Sequence, residues 1–167
     1  FAEHDFLTGQ ERCFGMDEFP TREELIERYK KEINEGNGLN EQEEAVINQP
    51  LCSGQNIFPP RYYQLNAINR TINAIAKGQN RILLVMATGT GKTYTAFQIV
   101  WRLLKSGLKK KVLYLADRNI LVDQSIEQDF KPLEKVIHKI DYSKDKDKLK
   151  ELLSHQVYFA LYQQLIG

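Results

Sequence analysis

A glycine-rich loop that ends in a lysine and a threonine is the strongest chemical signal in the sequence. Residues 87–93 read ATGTGKT and stand between an apolar run and a segment with helical periodicity. Gly89 and Gly91 let backbone N–H groups curve around phosphate oxygens, and the positive end of the following helix points at the same anion. Lys92 supplies an ammonium for the β- and γ-phosphates, and the Thr93 hydroxyl is a ligand for Mg²⁺. We therefore predict a nucleotide site at six residues: Thr88, Gly89, Thr90, Gly91, Lys92 and Thr93. An accidental glycine-rich turn is the alternative.

The loop departs from the general pattern GxxxxGK(S/T) at its first position, where Met86 replaces the usual Gly or Ala. Superfamily 2 helicases and translocases vary at that position, whereas GTPases and small-molecule kinases mostly keep the glycine. A GTPase would also carry a guanine-reading NKxD motif, which the sequence lacks. The loop therefore favours a helicase-like enzyme.

A second motif stands upstream of the loop, where residues 61–68 read RYYQLNAI. It resembles the R-x-Y-Q-x-x-A-I signature of superfamily 2, in which a glutamine reads adenine. A Gln amide offers a donor and an acceptor, which match the N6 amine and the N7 of adenine. The resemblance implies that Gln64 selects ATP over GTP, with Arg61 in the same motif and the Phe58 ring stacked on the base. A helix-surface amide for Gln64 and plain packing for Phe58 are the alternatives.

Two downstream segments resemble nucleic-acid-binding motifs of the same superfamily. Residues 112–124 read VLYLADRNILVDQ and resemble motif Ia, whose loop contacts the nucleic-acid backbone, so the resemblance implies DNA contacts for Arg118 and Asn119. An Arg at the start of a helix can bind phosphate without reading sequence. A local ion pair of Arg118 with Asp117 or Asp123 is the alternative. Residues 157–165 take the place of a strand ending in T-x-Q-x-L, with Gln163 in the place of the glutamine.

Together these motifs are similar to the motor (R) subunit of type I restriction enzymes. The lead-in residues 15–29 read GMDEFPTREELIERY and resemble the F-P-T-x-x-E-L-x-x-R-Y segment that precedes the motor in that family. The resemblance covers residues 14–167. It implies a cytoplasmic endonuclease subunit that translocates double-stranded DNA with ATP and Mg²⁺, alongside modification and specificity subunits. Motif II, the second motor lobe and the nuclease motif are not visible, so we expect a fragment that is inactive alone.

Two other functions remain open from the sequence. The first is another superfamily 2 helicase that acts on DNA or RNA. The second is a non-catalytic module in which the acidic N-terminal segment docks another subunit.

The elements that must position these residues follow from periodicity. Apolar spacing predicts helices that begin at Thr21 and end near Gly36, and over residues 40–48, 62–77, 92–105, 119–130 and 145–154. Capping boxes open the first two, at Thr21 with Glu24 and at Asn40 with Glu43. Short apolar runs predict strands over residues 81–86, 111–116, 136–140 and 157–161. This alternation indicates an α/β fold, a P-loop NTPase RecA-like parallel sheet flanked by helices and preceded by a small helical segment.

Charge divides the chain into two predicted parts. The 167 residues have a net charge of +1 and no apolar run that approaches the roughly 20 residues of a membrane span. Residues 1–58 carry 5 basic and 13 acidic side chains, a net charge of −8, whereas residues 59–167 carry +9. We therefore predict an acidic helical linker over residues 1–58. Residues 59–167 are predicted to form the N-terminal part of the first RecA-like lobe, and no membrane association is expected.

Overall fold

The computed structural model describes residues 1–4, 11–33, 40–54, 57–141 and 154–163. The chain divides into two compact units, Phe1–Leu39 and Asn40–Gly167. The boundary that packing draws therefore differs from the one that charge predicted after residue 58. The physical reason is the helix over residues 41–48, which is acidic on its surface but buries Val46 completely in the second unit.

The described residues of the first unit form a short antiparallel sheet, followed by a 3-10 turn at Met16–Glu18 and an α-helix. Strand β1 (Ala2–His4) pairs with β2 (Glu11–Cys13), and helix α1 spans Arg22–Ile33. The predicted capping box is confirmed, because the Glu24 N–H donates to Thr21 Oγ1 at 3.2 Å and the Thr21 N–H donates to Glu24 Oε2 at 2.8 Å. The sequence predicts an irregular lead-in over residues 1–18, so the strand pair is a correction. Strands of three residues are too short to show a period.

Four α-helices lie in the described part of the second unit, and they confirm the predicted helices in their regions. Helix α2 spans Glu41–Asn48, α3 spans Tyr62–Ala76, α4 spans Lys92–Lys105 and α5 spans Asn119–Glu127. Asn40 caps α2 by accepting the N–H groups of Gln42 and Glu43 at 3.0 and 2.9 Å. Apolar residues of three helices form one core, made of Val46, Ile68, Ile72, Ala76 and Leu103.

A three-stranded parallel sheet forms the other half of this unit, which confirms the predicted α/β class. Strands β3 (Val112–Ala116), β4 (Ile137–Lys139) and β5 (Val157–Leu161) are ordered β3-β5-β4. A second core lies against the sheet, where the Phe130 ring meets Phe97 edge-on at 5.4 Å and Phe159 at 5.1 Å. Since Phe97 lies on α4, this core fixes α4 against the sheet.

The strand predicted over residues 81–86 is wrong. These residues are not in a strand, and Leu83 and Val85 are 85% and 88% exposed. A β-strand exists only as part of a hydrogen-bonded ladder, and no segment among the described residues pairs with this one. Residues 81–86 therefore have the composition of a buried strand, but they lack a paired strand among the described residues.

The predicted helix over residues 145–154 falls almost wholly on residues 142–153, which lie outside the described part of the structure. None of the helices in the described ranges has the length and apolar character to cross a membrane.

Candidate functional site

The glycine-rich loop turns directly into α4. Gly89 and Gly91 have φ angles of +77° and +80°, in the left-handed region that favours glycine. Gly91 is the residue before the helix, and its carbonyl accepts the N–H of Thr95 at 2.9 Å. The N–H groups of the first helical turn before Thr95 have no acceptor within the helix, as at any helix N-terminus. The loop therefore presents donors and the positive helix end at one place, which suits an anion.

The Lys92 ammonium folds back over this loop. Its Nζ donates to the carbonyl of Ala87 at 3.2 Å and to that of Met86 at 3.4 Å, and the side chain is exposed. The Thr90 hydroxyl also donates to the Ala87 carbonyl, at 2.6 Å. Both groups that accept from Lys92 among the described residues are neutral carbonyls, so a phosphate placed in the loop would give it a stronger partner.

Gln64 joins the upstream motif to the phosphate loop. Its Oε1 accepts the Arg61 N–H at 2.9 Å, and its Nε2 donates to the Thr90 carbonyl at 2.9 Å. The side chain is 8% exposed, so the surface-amide alternative is excluded. Because an amide has two hydrogens on its nitrogen and two lone pairs on its oxygen, one of each remains for a base.

Gly91 sits directly against this amide. A Cβ added at Gly91 would overlap Gln64 Nε2, whereas a Cβ added at Gly89 would meet no atom within 4 Å. The first turn of α3 and the phosphate loop therefore touch at a point where only glycine fits. The two motifs are therefore in direct contact.

The remaining predicted nucleotide-binding residues are Phe58, Arg61, Thr88 and Thr93. Phe58 is 83% exposed, so its ring is available for stacking and is not a core residue. Arg61 is exposed immediately before α3, and Thr88 is exposed in the loop. Thr93 follows Lys92 in the first turn of α4 and is partly buried. The chemistry of these donors fits a nucleotide triphosphate with Mg²⁺ on the Thr93 hydroxyl.

The predicted nucleic-acid contacts lie at the carboxyl edge of the sheet. β3 and β5 end together, and Gln163 Nε2 donates to the Asp117 carbonyl at 2.9 Å. Arg118 is 76% exposed, with Nε 3.7 Å from Asp117 Oδ2, while Asp123 binds Lys139 Nζ at 2.6 Å. An exposed ion pair contributes at most about 1 kcal/mol, so a phosphate can compete for Arg118. Asn119 begins α5, and its side chain lies outside the described part of the structure.

The sequence analysis did not predict a role for three polar side chains on α4. Tyr94, Gln98 and Arg102 are four residues apart and share one face of the helix. Each binds a main-chain group in residues 46–58, the segment that leads to the upstream motif. The signal was present, since a polar residue at every fourth position interrupts the apolar pattern of a buried helix.

Arg102 anchors the start of that segment. It is 5% exposed and donates to the carbonyls of Val46 and Ile47 at 3.1 and 2.5 Å, and to Asn69 Oδ1 at 2.9 Å. The two carbonyls belong to the last turn of α2, where the helix dipole favours a cation. Arg102 thus binds α2 and α3 to the helix that follows the phosphate loop.

The parallel sheet, the glycine-rich loop and the helix after it define the chain as part of a helicase-like RecA-type lobe. Residues 57–167 match the family model described as "Type III restriction enzyme, res subunit", and the chain belongs to this family.

Similar proteins place the chain more closely, among the subunits of type I restriction enzymes. The EcoAI endonuclease subunit of Escherichia coli is 45% identical over 157 residues, which cover 94% of this chain and 18% of that protein. The EcoKI endonuclease subunit of Escherichia coli is 50% identical over 66 residues, which cover 40% of this chain and 6% of that protein. The chain therefore spans about a fifth of the length of the EcoAI subunit.

A solved structure supports the same relationship. A fragment described as an HsdR subunit of a type I restriction enzyme from Vibrio vulnificus superposes with a TM-score of 0.72 at 31% sequence identity. The match covers 99% of this chain and 28% of that chain. The chain is thus homologous to type I restriction subunits over nearly its whole length.

Proposed function

We propose that this chain is the ATP-binding lobe of an ATP-dependent DNA translocase and endonuclease subunit in a type I restriction system. The observation that carries the proposal is the loop at residues 87–92, where two left-handed glycines and a back-folded Lys92 precede the N-terminus of α4. The homology to type I restriction endonuclease subunits supports the rest of the statement.

The phosphate end of the nucleotide belongs in this loop. Backbone N–H groups near Gly89 and Gly91 bind phosphate oxygens, and Lys92 exchanges two carbonyl partners for the charged β- and γ-phosphates. Thr93 holds Mg²⁺, which neutralises charge between those phosphates when it is bound. The free energy gained by Lys92 on this exchange favours triphosphate over water in the loop.

The base end belongs on the other side of Gln64. The second hydrogen and the second lone pair of this amide match the N7 and the N6 amine of adenine, and the exposed Phe58 ring supplies a stacking surface. Arg61 stands beside them at the open edge of the site. Gln64 also binds the Thr90 carbonyl in the phosphate loop. The residue that recognises the base is therefore in direct contact with the loop that binds the phosphates.

Double-stranded DNA belongs at the carboxyl edge of the sheet, where Arg118 and Asn119 follow β3. An exposed Arg at the start of a helix positions a phosphate backbone and carries no sequence information. Sequence recognition and methylation are then tasks for specificity and modification subunits of the same cytoplasmic complex. A role as a general DNA or RNA helicase is less well supported, because the relatives are restriction subunits.

Replacement of Lys92 tests the nucleotide site. Lys92→Ala in the complete subunit, assembled with its partner subunits on DNA, should abolish ATP hydrolysis because the phosphate-bound charge is lost. Lys77→Ala, an exposed lysine at the end of α3, is the matched control and should hydrolyse ATP normally. Near-normal hydrolysis by Lys92→Ala would refute the phosphate-loop assignment and leave subunit docking as the better function.

A further inference from the structure

The polar face of α4 holds the segment that carries Phe58. Tyr94, Gln98 and Arg102 are spaced about 6 Å apart along the helix, from its 1.5 Å rise per residue. Arg102 binds the end of α2, Gln98 binds Cys52, and Tyr94 binds Phe58. The segment from residue 46 to residue 58 therefore follows the helix backwards, towards the phosphate loop.

Gln98 is the centre of this arrangement. It is fully buried, and its amide pairs with both main-chain groups of Cys52, accepting the N–H at 2.9 Å and donating to the carbonyl at 3.0 Å. Its Nε2 also donates to the Tyr94 hydroxyl at 3.1 Å. Both hydrogens of the amide are thereby used, and the Tyr94 oxygen accepts one of them.

Tyr94 connects this hydrogen-bonded group to Phe58. Its single hydroxyl hydrogen is directed to the Phe58 carbonyl, at 2.8 Å. Burial raises the pKa of the Tyr94 hydroxyl, so the group remains a donor at neutral pH.

Packing alone does not fix Phe58. The side chain is 83% exposed, and a cavity of about 100 Å³ lies beside this segment. The cavity is lined by Ile57 and Phe58, by Tyr94 and Phe97 on α4, and by three residues that follow α5, Gln128, Asp129 and Pro132. The hydrogen bond from Tyr94 to the Phe58 carbonyl therefore contributes to the position of this main chain.

We propose that Tyr94 and Gln98 are positioning residues that fix the Phe58 main chain, and with it the point from which the ring projects, relative to the phosphate loop. The hydrogen bonds from Gln98 to Tyr94 and from Tyr94 to Phe58 form a relay that begins on α4, the helix that starts with Lys92 and Thr93. The base-stacking residue and the phosphate-binding groups are therefore held by the same helix. This inference rests on the proposed nucleotide-binding function. It adds the residues that align the base-binding part of the site with the phosphate-binding part.

Tyr94→Phe removes the hydroxyl and keeps the ring, so it tests the relay with little risk to folding. In the complete subunit with its partners on DNA, the KM for ATP should rise about fivefold, the equivalent of one hydrogen bond. The kcat should stay within about twofold, because no group on the phosphates has changed. Inorganic tripolyphosphate, which lacks a base, should inhibit the variant and the parent equally well. Tyr162→Phe, a 56% exposed tyrosine that follows β5, is the matched control and should leave the KM for ATP unchanged.

A double variant separates positioning from general structural damage. In a Phe58→Ala background the ring is absent, so adding Tyr94→Phe should cause no further rise in KM. Independent multiplication of the two effects would overturn the proposal, as would weaker inhibition by tripolyphosphate or an unchanged KM in Tyr94→Phe alone. Normal hydrolysis by Lys92→Ala is a different failure, because it would remove the nucleotide site itself and the relay with it.

Discussion

Gly91→Ala should be the most disruptive of the single-methyl substitutions in the phosphate loop. Gly91 has a φ of +80°, and an alanine held in the left-handed region costs about 1–2 kcal/mol. The new Cβ also overlaps Gln64 Nε2, so the hydrogen bond of this nitrogen to the Thr90 carbonyl is lost, at a further cost of about 1 kcal/mol. The free energy of unfolding should therefore fall by about 2–3 kcal/mol.

Gly89→Ala is the matched control for this prediction. Gly89 has a similar φ of +77°, but its added Cβ would meet no atom within 4 Å, so only the conformational cost applies. Urea unfolding of the chain, followed by circular dichroism, should show Gly91→Ala to be less stable than Gly89→Ala by about 1 kcal/mol. In a Gln64→Ala background the excess cost at Gly91 should vanish. Equal losses for the two glycines in the parent chain would refute the close contact between α3 and the loop.

Three further predictions concern other contacts. Arg102→Met should lower the free energy of unfolding by about 2–3 kcal/mol, because two carbonyls of α2 lose a buried charged donor; Lys105→Met, exposed on the same helix, should cost less than about 1 kcal/mol in the same urea titration. Burial raises the pKa of Asp129, so ionisation of this carboxyl favours the unfolded chain. Asp129→Asn should therefore stabilise the protein at pH 7. The gain should disappear below about pH 4, where the carboxyl is protonated in both the folded and the unfolded state. Arg118→Ala in the complete subunit should weaken DNA binding and reduce the salt slope of the affinity by about one unit, whereas Arg70→Ala, exposed on α3, should not.

Each of these has a result that would contradict it. A loss below about 1 kcal/mol for Arg102→Met would mean that water replaces the guanidinium at the end of α2. A stability gain in Asp129→Asn that persists at acid pH would show that the carboxyl acts by shape and not by charge. An unaltered salt slope for Arg118→Ala would make its contact with Asp117 its only role.

Local signals made the helices and the phosphate loop predictable. The capping boxes at Thr21 and Asn40 form as the sequence predicts, because a side chain three residues from its backbone partner needs no tertiary context. The loop was recognisable for the same reason, since its two glycines and Lys92 act within a few residues of one another. The parallel order of the sheet followed from the alternation of strands and helices.

Features that depend on distant partners were not predictable in this way. The run at residues 81–86 has the composition of a buried strand, but composition does not specify a ladder neighbour. The contact of Gln64 with Thr90 and that of Tyr94 with Phe58 join segments whose approach is set by the helical core. Charge predicts a boundary after residue 58, whereas packing divides the chain between residues 39 and 40, because the single apolar face of α2 packs in the second unit.

The exposed apolar run before the phosphate loop makes the isolated chain prone to self-association. Residues 82–91 carry no charge, and Leu83 and Val85 are 85% and 88% exposed. Uncharged β-prone segments with open backbone groups pair readily with copies of themselves. A lysine at Leu83 would act as a gatekeeper, so Leu83→Lys should sediment as a monomer at concentrations where the parent chain aggregates. Solubility and nucleotide binding would then be adjusted at separate places in one short stretch of sequence.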